Sequence, residues 1–220
     1  MRRKTVAYIA PFLTFMLFTG LTQGLDALRL RPWGMAAMYL IFPIQTVVCA
    51  GVLAFFWRDY GLERPRAAWV AGVIGVLAAA LWVSPQEVFH YAPRLDGFNP
   101  GMFAGGIYWA VLAMRLVRLV AVVPALEEVF WRGFLLRYLI DEDFDTVPFG
   151  KYARMANIIV AVGFMLEHSP VDWLAALATG VLYNLVAFRT RSLGSCILAH
   201  AITNALLGAF ILATRQWGFW

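Results

Sequence analysis

Charge is scarce in this chain. Asp, Glu, Lys and Arg make up 14% of its 220 residues, where soluble domains carry about a quarter. So little charge cannot cover the surface of a water-soluble fold. Cysteine is nearly absent too: Cys49 and Cys196 both lie in apolar stretches and neither belongs to a CxxC pair. That excludes a disulfide framework or a cysteine-rich zinc module and leaves both as small interior residues. Only three histidines occur, none in an HExxH helix. There is no internal repeat and no low-complexity segment. The formal charge of +5 is spread over loops and forms no basic face, so no nucleic-acid partner is expected. No cleavable signal peptide is evident. Met1-Arg2-Arg3-Lys4 enters an apolar stretch, but Thr22-Gln23-Gly24 and a second hydrophobic run follow, as for a retained first span.

What is abundant is apolar: 62% of residues are hydrophobic and the mean hydropathy is +0.71. A span needs about 20 apolar residues, so seven would use roughly 140 and leave only short loops. The chain therefore reads as an all-α bundle of seven to eight transmembrane helices, one integral membrane domain over residues 1–220. Candidate spans cover about Val6–Thr22, Gly34–Trp57, Ala67–Val83, Ile107–Leu126, Tyr152–His168, Val171–Phe188 and Leu193–Ala213. Ile107 to Ile140 has room for one crossing or two, with Pro124 as a kink or a fresh helix start. Ser84–Gly105, with three prolines and His90, reads as an irregular segment, re-entrant or interfacial, over one membrane face. The loop from Gln23 to Trp33 carries Asp26, Arg29 and Arg31. The run Asp141–Asp145 reads as a solvated loop, and Trp217–Trp220 as an aromatic interface anchor.

With the N-terminus inside, eleven Lys and Arg fall on inner segments (residues 2, 3, 4, 58, 64, 66, 137, 151, 154, 189 and 191). Four (29, 31, 94 and 215) fall on outer ones. This bias predicts a cytoplasmic N-terminus.

Ionisable residues inside spans cost roughly 2.5–3.5 kcal/mol each on insertion scales and are functional candidates by default. Glu127-Glu128-Val129-Phe130-Trp131-Arg132 is one cluster. Glu128 and Arg132 are four residues apart and can pair as a structural carboxylate–guanidinium bridge. Glu127, about 100° round the helix, is left free for acid–base work. Two adjacent carboxylates in an apolar setting are expected to titrate apart, as a general base and its structural neighbour do. The second cluster, Phe164 to Pro170, holds Glu167 and His168, with Glu167 facing another direction as a supporting or rim residue. The third places His200 and Asn204 on one helix face. A bundle can bring Glu127, His168, His200 and Asn204 to one hydrated pocket. The structural alternatives are an interior histidine in each case and an interhelical bridge for Asn204. Arg115 and Arg118 share a face; lining a pocket, pairing with acids and snorkelling to headgroups all stay open.

The succession EExxxR, FxxxH and HxxxN on consecutive hydrophobic segments resembles the CPBP family of membrane proteases, which includes the type II CAAX prenyl endopeptidases and the Abi proteins. Glu127-Glu128 with Arg132, Phe164 with His168, and His200 with Asn204 all match, within a motif core of about 124–212. The N-terminal half is similar only in being hydrophobic. The short chain also resembles the bacterial CAAX-protease-related group found with exosortase-type sorting systems.

The resemblance implies an intramembrane endopeptidase acting on a membrane-anchored protein or peptide near its C-terminus, in a bacterial inner membrane. It implies Glu127 as general base, His168 as its orienting partner, and His200 with Asn204 as oxyanion holders. Glu128, Arg132 and Phe164 would support them from behind. No Ser or Cys nucleophile sits in the motifs, which agrees with direct water attack. No cofactor is expected as a requirement; Glu127, His168 and His200 also make a Zn2+ ligand set, should the reaction depend on a metal. The alternative from another class is a non-catalytic scaffold or immunity-type protein that binds a partner through the same pocket. A transporter using the buried Glu and His as a proton relay is disfavoured, because the halves show no inverted similarity.

Overall fold

In hydrocarbon the backbone has no water to bond, so long apolar segments must satisfy their own amides as helices. The computed structural model describes residues 3–27 and 33–220; Arg2, Arg29 and Arg31, counted in the charge balance, lie outside the described residues. Among the described residues there is no strand. Seven helices form the bundle: α1 (Arg3–Ala27), α2 (Trp33–Phe55), α3 (Ala68–Glu87), α4 (Gly105–Tyr138), α5 (Arg154–Leu166), α6 (Trp173–Thr190) and α7 (Leu193–Thr214). All but α5 contain a stretch long and apolar enough to cross a bilayer. The 13 residues of α5 reach only about 20 Å, short of a hydrocarbon core of about 30 Å. The chain is an integral, multi-pass membrane protein. Side chains such as Leu17, Leu40, Val47, Val76 and Ile158 point outward, as a lipid-facing surface requires.

Helix α1 runs through Gln23 to Ala27, where a loop was expected, α5 is shorter than the span expected over Tyr152–His168, and two further boundaries differ at prolines. Residues 105–138 form one continuous helix, so Pro124 neither breaks α4 nor starts a second crossing. The chain widens into a π-turn over Arg118–Val122 just before it, and again over Val129–Leu135. Helix α3 also runs through Pro85 to Glu87, where an irregular segment was expected. Pro85 has no N–H for the Leu81 carbonyl, and the Ser84 hydroxyl donates to that oxygen instead, at 2.9 Å. Beyond it, residues 88–99 are irregular and His90 is exposed.

Close helix approach positions the site. Gly75 of α3 lies against α7, where a Cβ would stand 2.8 Å from both the Ala199 carbonyl and Ile202 Cβ. The Thr203 hydroxyl donates to the Gly75 carbonyl at 3.1 Å. Such small-residue contacts are how helices pack without a hydrophobic driving force. The ends of the bundle differ. At one, Arg3 pairs with Asp59 at 3.2 Å and Lys4 with Asp145 at 2.6 Å, joining three segments expected inside. At the other, Arg94 pairs with Asp172 at 2.6 Å and its carbonyl accepts from Gly218 N–H at 2.9 Å, joining three segments expected outside.

Candidate active site

A cavity of about 340 Å3 opens at the Arg94–Asp172 end and is lined by Glu127, His168, His200 and Asn204 together. All four side chains singled out by spacing thus meet at one place, from α4, the end of α5 and α7.

Glu128 and Arg132 lie outside this lining. Both side chains are fully buried and paired at 3.0 Å. Arg132 spends each of its nitrogens: Nη1 donates to Glu128, Nε to Asn184 Oδ1 at 3.2 Å, and Nη2 to the Gly180 carbonyl at 3.1 Å. Its plane lies over Phe164 and Tyr183. A buried charge held this way has its desolvation offset at every nitrogen. The same Glu128 Oε1 faces His200 Nδ1 at 3.0 Å. A carboxylate only accepts, so Nδ1 carries a hydrogen and His200 presents Nε2 to the cavity. There Nε2 lies 4.0 Å from Glu127 Oε2, too long for a hydrogen bond.

Glu127 is 5% exposed, and its Oε2 has no hydrogen-bond partner. Glu128 is paired with a guanidinium through Oε1 and its Oε2 is likewise unpartnered; what distinguishes Glu127 is that it lines the cavity and is in no ion pair with an arginine. His168 lies just past the end of α5. Its Nδ1 is 2.8 Å from the Phe164 carbonyl, which can only accept, so Nε2 is left with a lone pair. This explains the FxxxH spacing: Phe164 both packs on the imidazole, at 4.9 Å between centroids, and fixes its tautomer.

Asn204 makes the contact expected of a bridge. Its Nδ2 donates to the Leu119 carbonyl at 2.8 Å. That carbonyl is orphaned by the π-turn. Val123 N–H is taken by the Arg118 carbonyl, and the next candidate, Pro124, has no N–H. Asn204 restores the missing donor and keeps its second amide hydrogen beside the cavity it lines.

Three cavity residues carried no signal that set them apart in sequence. Tyr183 packs on His200 with centroids 5.0 Å apart, and Thr203 and Trp82 complete the wall. Glu167, expected to play a supporting role, accepts from Trp131 Nε1 at 3.0 Å and lines, with Glu127 and His168, a second cavity on the α1–α2 side. Gly163 makes room for that indole, since a Cβ there would lie 2.8 Å from its ring. Arg115 and Arg118 are 3% and 8% exposed, so they face inward and do not snorkel.

Among the described residues no three His, Cys, Asp or Glu side chains cluster closely enough to hold a metal ion. Both histidines donate Nδ1–H to protein acceptors and keep Nε2 for the cavity, an orientation that suits a metal ligand and a proton acceptor alike.

Comparison with known families agrees with the resemblance carried by the motifs. Residues 109–206 match the family model described as type II CAAX prenyl endopeptidase Rce1-like. That stretch runs from Trp109 in α4 to Leu206 in α7, and holds all four cavity residues and the Glu128–Arg132 pair. No match to a curated protein or to a solved structure was found.

Proposed function

We propose, with the family match over residues 109–206 as the premise, that this chain is an intramembrane endopeptidase that hydrolyses a peptide bond of a membrane-anchored protein or peptide near its C-terminus. All 220 residues act as one membrane unit in this reading. The observation that carries it is the convergence of Glu127, His168, His200 and Asn204 on one cavity, with the Glu127 Oε2 atom unpartnered.

In the proposed reaction Glu127 takes a proton from a water molecule that also donates to His168 Nε2. The hydroxide oxygen bonds to the scissile carbonyl carbon, and the carbonyl oxygen becomes an oxyanion. The second amide hydrogen of Asn204 receives that charge, with His200 Nε2 when the ring is protonated. Collapse breaks the C–N bond, and the proton held by Glu127 passes to the departing amine, leaving a new carboxyl end. Each group belongs to the chain itself, and none is routed through a metal.

In this reading the membrane is a bacterial inner membrane, as the family resemblance implies, and the N-terminus lies in the cytoplasm, as the charge bias predicts, with the cavity mouth at Arg94–Asp172 on the opposite side. Termini of membrane proteins from cells making wild-type or Glu127→Gln protein, read by mass spectrometry, test the reading. New termini present only with wild type are expected. If the phenotype and termini are unchanged while the variant accumulates normally, the pocket binds a partner without catalysis. Activity that survives chelation in protein free of bound metal is expected; activity lost on chelation and restored by Zn2+ would overturn the metal-free route.

A further inference from the structure

The mouth of the catalytic cavity is built from three outer segments: the irregular chain after α3, the turn joining α5 to α6, and the residues after α7. They contribute Arg94, Asp172 and Gly218–Trp220 to its lining.

One residue holds the three together. Arg94 Nη2 pairs with Asp172 Oδ1 at 2.6 Å, and the guanidinium carbon lies 4.4 Å from the centre of the Phe219 ring. The Arg94 N–H donates to Gln216 Oε1 at 3.2 Å, and its carbonyl accepts from Gly218 N–H at 2.9 Å. The two arms meet through glycines. The Trp217 carbonyl lies where a side chain at Gly97 would have to stand, and a Cβ at Gly218 would be 2.8 Å from Arg94 Cβ. Little else ties the first arm down. From Val88 to Gly97 every residue except Arg94 is exposed, and burial resumes only at Phe98, which packs on Tyr39 with centroids 4.6 Å apart. A segment with so few buried contacts opens at low cost. Both arms also depart from their helices at a left-handed residue that carries a side chain: His90 (φ 56°) beyond α3 and Arg215 (φ 59°) at the end of α7. Only four described non-glycine residues have positive φ, a strained conformation that gathers at ligand clamps and switch segments.

The space behind the arms is small. About 340 Å3 is near the lower limit of pockets that enclose a single small molecule. A peptide adds about 3.3 Å of extended chain per residue on each side of the bond to be cut. Phe219 and Trp220 line the space that this chain needs, and Trp220 Nε1 is buried without a hydrogen-bond partner.

We propose that residues 88–97 and 216–220 form a lid over the catalytic cavity, latched by Arg94 on Asp172 and Phe219, and that the lid swings out to admit the peptide. The inference rests on the endopeptidase reading and adds the step that controls access to its site.

The test uses full-length protein in detergent micelles and a pool of N-terminally palmitoylated, randomised dodecapeptides. Spin labels at Leu95→Cys and Val171→Cys, both exposed positions, report the distance from the lid to the α5–α6 turn by electron paramagnetic resonance; Cys49 and Cys196 are buried. One short distance is expected in the free protein, and a second, longer one when the pool is bound to Glu127→Gln protein. Arg94→Gln and Asp172→Asn should each populate the longer distance without peptide. A larger open fraction lowers KM for the pool, roughly two- to fivefold for a partly exposed ion pair, with kcat unchanged. Arg94→Cys combined with Gly218→Cys closes the arms covalently: cleavage stops on oxidation and returns on reduction, while either single variant is indifferent to the oxidant. Cleavage that continues through the disulfide, or one label distance in every variant with and without peptide, overturns the lid. A fall in kcat in Asp172→Asn at constant KM assigns the ion pair to holding the turn that carries His168, and also overturns it. Lid movement on peptide binding, without cleavage by wild type, upholds the lid and sinks the peptidase reading.

Discussion

Helix α4 carries two arginine sites that solve the same problem in opposite ways. Arg132 gives every nitrogen to an acceptor on its own helix or on α6. Arg115 and Arg118, three to five turns away, are almost as deeply buried and keep spare donors against aromatic rings. The first is what a bundle needs to stay folded. The second has one hydrogen bond, from Arg118 Nη2 to Gln45, and otherwise meets only aromatic rings, which leaves its cost in an apolar setting less fully offset. Burial alone does not tell the two apart; the count of donors left over does.

Removing each guanidinium is the sharpest way to break this comparison. Arg132→Gln leaves Glu128 without its cation, at a cost of about 3–5 kcal/mol. Loss of the protein from the membrane, or a collapse in its melting temperature in detergent, is expected. Arg118→Gln should melt at or above the wild-type temperature, and a comparable collapse there would erase the distinction. Glu127 and Glu128 extend the contrast to carboxylates. Glu127→Gln is expected to lower turnover by about 10²–10⁴-fold with melting unchanged, while Glu128→Gln should lose stability first. Gly75→Val tests packing: forcing α3 from α7 is expected to cost about 1–3 kcal/mol, read as a lower melting temperature. The smallest effect belongs to Ser84→Ala, which leaves the Leu81 carbonyl without its side-chain donor, for about 0.5–1.5 kcal/mol.

Much of the site was legible because its rules are local. Four-residue spacing on helices predicts that Glu128 meets Arg132 and that His200 shares a face with Asn204. Apolar length alone marks the spans. The rest needed partners from elsewhere in the chain. The π-turns of α4 have no local signal beyond Pro124, so one long helix was not distinguishable from two crossings. Pro85 reads as a stop until Ser84 is seen to supply the missing donor. Glu167 was turned away from His168 by helix arithmetic, yet a residue just past a helix end can face a cavity assembled by a neighbouring strand of sequence. The direction taken by Arg115 and Arg118 depends on Phe42, Gln45 and Phe98, which lie far away along the chain.

Pro124 reaches further than its own helix. By withholding one hydrogen from Leu119, it leaves an oxygen in an apolar interior that only a side chain of another helix can meet. Asn204 answers it, and α7 is thereby keyed in rotation about its long axis, carrying His200 round with it. An alanine at position 124 would hand Leu119 a backbone donor and unlock that key, so a residue with no reacting atom governs where an imidazole one helix away points.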